Sequence, residues 1–324
     1  MNGIISTIRL LESARKIHCS RIKGAADPLV LTPEIKRHVS SLLPDHRSMP
    51  ELDRALLLFR SVIPASQAFT FGGRSYFGLA GENGGLEVHC STDHNNRLRR
   101  QTNGFPLPTD IINAPDHDTL RVAKCVEYSF LLVALLRAAD LESFLVKEGL
   151  DHVFVKAKLG GNWYKLDAFY IDKKIPPRIE PLSVPTEHLS ERSTLGLYYS
   201  NKSGILKRQG HPEKALPAVK TALKITPDLA EAWVNYGTIL LAIDQFNAAA
   251  DAMVAFEKAL IFEPGNSIAL NNIAVLLIKQ GEREKARKIL EDLVAKFPNQ
   301  KLARNNLLNL NGGPFLAGLF KGLF

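Results

Sequence analysis

Cys125, His152 and Asp167 follow one another as thiol, imidazole and carboxylate, at separations of 27 and 15 positions. A cysteine becomes a strong nucleophile when a base within hydrogen-bond reach holds it as thiolate. The base works best when a carboxylate fixes its tautomer and stabilises the imidazolium. These residue types in this order are the parts of such a triad. Cys125 also opens an apolar helical run, and a thiolate there faces unsatisfied backbone N–H groups and the positive end of the helix dipole, both of which favour it. Taken singly, each residue has a plainer explanation: core cysteine, surface histidine at a strand start, aspartate closing a turn. The shared order and context point to chemistry.

The surrounding sequence supplies elements able to hold the three residues. Cys125 to Arg137 reads CVEYSFLLVALLR, apolar nearly all round, which predicts a buried central helix. Three strand-like runs follow, Ser143 to Lys147, His152 to Lys158 and Trp163 to Phe169. The last two are joined by Leu159-Gly160-Gly161-Asn162, a good hairpin turn. Consecutive strands joined this way are antiparallel neighbours, so His152 and Asp167 are expected close together at one end of a sheet on which the Cys125 helix packs. His89 and Cys90 do not form a site together, because strand neighbours point to opposite faces. Glu127 reads as an ordinary first-turn acid favoured by the helix dipole, and His117 and Asn113 precede the helix without a definable role.

Upstream, Leu52 to Ile63 carries helical periodicity between Pro50 and Pro64. From Phe71 to Gly104 the sequence turns to glycines and short apolar runs, Arg74 to Phe77 and Leu86 to Cys90, expected as short strands or loops. Downstream, Ile175 to Pro185 holds Pro176, Pro177, Pro181 and Pro185 and reads as a linker or strap.

Beyond the strap lies a repeat. Pro227, Pro264 and Pro298 end successive units 37 and 34 residues apart. Small residues and alanines recur between them: Ser203, Gly210, Ala215 and Ala222; Gly237, Ala252 and Ala259; Ala274, Gly281 and Ala286. This resembles the tetratricopeptide repeat, a pair of antiparallel helices in 34 residues. The middle unit carries three extra residues around Ala248 to Ala250, which lengthen a turn or a helix start. A further helix, Gln300 to Leu310, caps the stack, because the exposed face of a last repeat needs covering. The final segment, Phe315 to Phe324, is apolar, too short to span a membrane, and expected to dock on the protein or a neighbour.

The blocks from Val122 to Tyr170 resemble the core of the transglutaminase-like superfamily. Cys125 before a long apolar helix, His152 followed by Val153-Phe154-Val155, and Gly160-Gly161-Asn162-Trp163-Tyr164-Lys165-Leu166-Asp167 match its pattern in order. Ala123, Phe154 and Ala168 stand where the family often has glycine, tryptophan and proline, differences of turn shape and packing rather than proton chemistry. The resemblance implies an α+β papain-like domain with a central helix on an antiparallel sheet, and catalytic residues Cys125, His152 and Asp167. It implies acyl transfer from an amide or ester of a protein or peptide through a cysteine thioester. Water as acceptor makes a peptidase or amidase, an amine makes a transamidase, and the triad is the same for both. A catalytically silent scaffold, with the repeats doing the work, is the alternative.

The expected organisation is residues 1–185 as the transglutaminase-like domain with an N-terminal helical segment, 193–310 as an all-α domain of three repeats and a capping helix, and 311–324 as an apolar tail. Composition agrees with a globular chain of two domains: 45% hydrophobic and 23% charged residues over 324 positions. The net charge of +8 is spread along the chain, and Arg97, Arg99 and Arg100 sit in a polar loop-like segment, so nucleic acid is not the expected partner. Three cysteines without close spacing make no disulfide framework, and the absence of CxxC and HxxxH pairs gives no expectation of a metal or cofactor. Met1 to Ala25 is basic and lacks the apolar core of a secretory signal. A soluble cytoplasmic location is expected, with a protein or peptide substrate and a protein partner on the repeats.

Overall fold

A computed structural model describes residues 27–63, 68–77, 89–90, 107–112, 122–123, 125–149, 152–167, 177–184, 186–244, 248–298 and 300–310. The N-terminal segment to Ala25, the Arg97–Arg100 cluster, Asn113, His117 and the apolar tail lie outside them. The chain divides between Leu195 and Gly196 into two compact units.

In the first unit, α1 (Pro33–Leu42) and α2 (Glu51–Ser61) precede the two-stranded hairpin β1 (Ala68–Phe71) and β2 (Arg74–Phe77). Thr32 caps α1 through its side chain, and Pro50 and the acids Glu51 and Asp53 start α2 where the sequence places a helix. Next come β3 (His89–Cys90), the short α3 (Pro108–Ile112) and β4 (Val122–Ala123), with β3 and β4 paired in parallel. Of the strand-like run Leu86 to Cys90, only the β3 residues are described. β4 leads directly towards α4 (Cys125–Ala138), so a strand pair fixes the chain just before the helix that Cys125 begins.

α4 is the central helix of this unit, with Phe130 to Leu136 almost wholly buried. Its end is a Schellman arrangement: the Leu141 N–H donates to the Leu136 carbonyl at 3.0 Å and the Asp140 N–H to the Arg137 carbonyl at 3.1 Å, with Asp140 at a left-handed φ of 58°. Buried Arg54 of α2 donates to the Ala139 carbonyl at 2.6 Å, satisfying one more helix-end oxygen.

The sheet beneath is an antiparallel meander of β5 (Ser143–Glu148), β6 (His152–Leu159), β7 (Asn162–Asp167) and β8 (Arg178–Pro181), in that order. Gly160 and Gly161 form the two-residue turn expected between β6 and β7, with φ of 57° and 83° that side-chain-bearing residues rarely adopt. Strand alternation buries Leu145, Val153, Val155, Ala157, Leu166 and Ile179 on one face and gathers charged residues on the other. The run read as Trp163 to Phe169 is strand as far as Asp167, and Ala168 and Phe169 lie outside the described residues. One expectation needs correction: the proline-rich stretch is not merely a linker or strap, because Arg178–Pro181 pairs with β7. Pro181 ends an edge strand, where a missing N–H breaks no ladder bond.

The rest of that stretch does cross the sheet. The Leu182 N–H donates to Trp163 at 2.9 Å, Lys156 Nζ to the Thr186 carbonyl at 2.7 Å, and the Leu189 N–H to Leu145 at 2.8 Å. His188 stacks on Phe144 with ring centroids 3.9 Å apart.

The second unit is built of helix pairs. α5 (Glu191–Arg208) crosses the unit boundary and is joined by three residues to α6 (Pro212–Ile225); α7 (Ala230–Ile243) pairs with α8 (Ala249–Phe262), α9 (Ser267–Lys279) with α10 (Arg283–Lys296), and α11 (Lys301–Leu310) caps the last pair. Gly210 and Gly281, at φ of 82° and 84°, end α5 and α9 in the same way: the His211 N–H closes on Leu206 and the Glu282 N–H on Leu277. The connection in the middle pair runs 244–248, two positions more than 280–282 in the next, and α7 is one residue longer than α9, which together make up the three extra residues. Small residues sit where helices cross. A Cβ on Gly237 would meet the Phe256 ring at 2.6 Å, and Ala215, Ala222, Ala252, Ala259, Ala274 and Ala286 are fully buried.

Polar pairs link successive helix pairs. Asn235 Nδ2 donates to the Ser200 carbonyl and Oγ at 3.1 and 3.0 Å, and Asn306 Nδ2 to Asn271 Oδ1 at 2.9 Å. Lys207, near the end of α5, has its pKa lowered to about 8, first by burial and then by Arg208.

Gly237→Ala is expected to lower the urea stability of the full chain by about 1–2 kcal/mol, because overpacking against Phe256 outweighs the roughly 1 kcal/mol gain in helix propensity. A second expectation concerns Lys207. Its folded pKa of about 8 lies below the ordinary 10.5, so the folded state is penalised while the lysine is charged. The penalty is full below about pH 8 and disappears as the pH rises to 10.5. Lys207→Met therefore raises stability at pH 7, with an advantage over wild type that shrinks to nothing across that window in paired unfolding curves.

Candidate functional site

Of the three residues picked from sequence, the structure brings two into direct contact. His152 Nε2 lies 2.9 Å from Asp167 Oδ2, and both side chains are buried. The hairpin makes this possible: His152 begins β6, Asp167 ends β7, and both point to the charged face of the sheet. A carboxylate only accepts, so Nε2 carries the hydrogen and the opposite ring nitrogen, Nδ1, is the basic one in the neutral ring.

The third residue, Cys125, is the first of α4. One turn further along, Ser129 Oγ donates to the carbonyl of Val153 at 3.1 Å, next to His152 in the chain. This bond sets the opening turns of α4 alongside the His152 end of β6. Glu127, in the first turn, is 1% exposed, more deeply buried than an ordinary solvated first-turn acid.

The carboxylate at the centre is shared. Besides His152, Asp167 Oδ2 has Arg178 Nη2 at 3.7 Å and Lys165 Nζ at 3.8 Å. Each cation has a second acid: Lys165 reaches both oxygens of Glu148 at 3.1 and 3.2 Å, and Arg178 Nη1 lies 3.8 Å from Glu180. Lys165 arrives by passing over the Phe154 ring, 4.2 Å from its centroid. All six groups follow from register, since Glu148 is the partner of His152, Glu180 of Lys165 and Arg178 of Asp167.

Glu148, Lys165 and Arg178 do not stand out in the sequence. The one available signal was Lys165 two residues before Asp167 in a strand otherwise rich in apolar residues, which puts it on the same face. The strap covers the other end of this face, where Lys156 lies 4.3 Å above the Trp163 ring. Lys156 is four residues from His152, roughly 13 Å along the strand at ~3.3 Å per residue.

Comparison with known proteins bears on the second unit. A family model for the tetratricopeptide repeat matches residues 247–308, in keeping with the helix pairs found there. Among solved structures, the first tetratricopeptide domain of human RPAP3 is similar at 17% identity and a TM-score of 0.34, covering 37% of this chain and 91% of that one. The first such domain of Spaghetti (RPAP3), bound to an HSP90 peptide, matches at 18% identity and a TM-score of 0.33, over 36% of this chain and 92% of that one. YrrB, a repeat protein with an unusual peptide-binding site, matches at 21% identity and a TM-score of 0.30, over 36% and 61%. A comparison with curated proteins gave no match. No helix among the described residues is long and apolar enough to cross a membrane.

Asp167→Asn removes the acid that three buried or half-buried donors share. It is expected to destabilise the chain by about 3 kcal/mol, because breaking one partner of a buried ionic cluster leaves the others uncompensated. The shift of the urea midpoint measures it.

Proposed function

We propose that residues 22–195 form a transglutaminase-like, thiol-dependent acyl-transfer unit, and that the repeats hold its protein substrate or partner. The observation that carries the first half is the buried 2.9 Å contact between His152 and Asp167, beside the opening turns of the helix that Cys125 begins. The second half rests on the repeat match and the stacked helix pairs.

In this reading Nδ1 of His152 takes the Cys125 proton, and Asp167 steadies the resulting imidazolium through Nε2. The thiolate attacks the carbonyl carbon of an amide or ester; a C–S bond forms and the carbonyl π pair moves to oxygen. The Cys125 backbone N–H, at the helix start, is a donor for that oxyanion. Collapse breaks the bond to the leaving amine or alcohol, which takes the proton from His152, and leaves a thioester. Water or an amine then gives its proton back to His152 as it attacks the thioester. The C–S bond breaks with its electron pair returning to sulfur, which recovers its proton from His152, and the cycle closes. Water makes a peptidase or amidase and an amine makes a transamidase.

The second reading is a scaffold in which this sheet is retained without turnover and the repeats act by protein–protein interaction. It is favoured by the tetratricopeptide family match over residues 247–308.

Peptide-resolved labelling with an electrophilic amide or ester probe separates the two. Cys125 should be the cysteine labelled, Cys125→Ala should abolish the adduct, and His152→Asn should slow it about tenfold or more near pH 7. A Cys125 labelling rate that His152→Asn leaves unchanged rejects the enzyme reading.

A further inference from the structure

Glu148, Asp167 and Glu180 contribute three carboxylates to the face that bears His152, and Lys165 and Arg178 two cations, all linked through Asp167 Oδ2 or one contact away from it. The Asp167 carboxylate favours a proton on the ring, and both cations sit within 4 Å of the oxygen that His152 uses, so they divide that field.

We propose that Lys165 and Arg178 are positioning residues that hold Asp167 as an anion aimed at Nε2 and set the pH at which His152 becomes charged. This rests on His152 acting as the base, and it adds two residues and a sign to that reading. Glu148 and Glu180 anchor the two cations. Removing either cation therefore does two things of like sign: it lifts positive charge from the neighbourhood of the ring and it releases an acid, Glu148 or Glu180, to act on it. Both raise the pH at which His152 loses its proton. Glu127 and Cys125 belong to α4, which packs against β6, and Asp151 precedes His152 in sequence. They are the same in every variant and leave the sign of the difference unchanged.

A purely structural ion cluster predicts lost stability on substitution. The positioning role predicts a displaced titration. The test is an imidazole NMR titration of the full chain, with the His152 signal assigned by its loss in His152→Asn. Lys165→Met and Arg178→Met should each raise the His152 midpoint by about half a pH unit or more, and the double variant by more than either. Lys165→Arg and Arg178→Lys keep the charge and should restore the wild-type midpoint. Arg178 is half-exposed, so Arg178→Met provides the measurement if Lys165→Met does not fold.

An unmoved or lowered midpoint in a folded Arg178→Met chain overturns the proposal. So does a midpoint in Arg178→Lys that stays as displaced as in Arg178→Met. Measured alongside, the pH profile of Cys125 labelling tells this failure from that of the function reading. An imidazole midpoint that moves while the labelling profile stays fixed supports the positioning role and counts against thiol activation by His152. Joint movement supports both.

Discussion

Groups from three strands meet at one carboxylate oxygen, Asp167 Oδ2: His152 of β6 within hydrogen-bond distance, and Lys165 of its own β7 and Arg178 of β8 in ion-pair range. A carboxylate 3% exposed is tolerable only where donors and cations replace the water it has lost, and here the three do so together. The arrangement also fixes register. A slip of one residue between β6 and β7 would carry Asp167 to the apolar face that bears Val155, and Leu166 to the charged one, while His152 stayed behind. Sheet order and ring orientation thus have the same origin.

Part of this was legible in the sequence because it depends on short-range rules. Gly160-Gly161 between two strand-like runs specifies a tight hairpin, and a hairpin beginning at His152 and ending at Asp167 brings its two ends together. The all-apolar run after Cys125 specifies a buried helix. Pro227, Pro264 and Pro298, with alanines between, specify helix pairs, and Gly210 and Gly281, followed by Glu213-Lys214-Ala215 and Glu284-Lys285-Ala286, mark two of the turns. What escaped depends on longer-range register. Arg178 belongs to a four-residue strand hidden among prolines, whose local signal is for broken structure. The β7 ladder decides otherwise. Glu148 and Lys165 look like surface charges until the two strands that bear them are placed on either side of Phe154.

The two units achieve order by different means. The first buries a charged cluster whose members satisfy one another, so its fold and its candidate chemistry use the same atoms. The second relies on the absence of bulk: Gly237 admits the Phe256 ring, and buried alanines let helices approach closely. Neutral amides and hydroxyls link its successive helix pairs, Asn235 on Ser200 and Asn306 on Asn271. A substitution that is severe in one unit therefore has no counterpart in the other.

The path of the chain from the sheet to the helices has a mechanical meaning. After β8 the backbone crosses the sheet, is gripped by Lys156 at Thr186 and by Leu145 at Leu189, and only then enters α5. A pull applied at the start of α5 loads those two anchors first, in β6 and β5. The load falls on Lys156 and Leu145, four and three residues along the ladder from the His152–Glu148 pair.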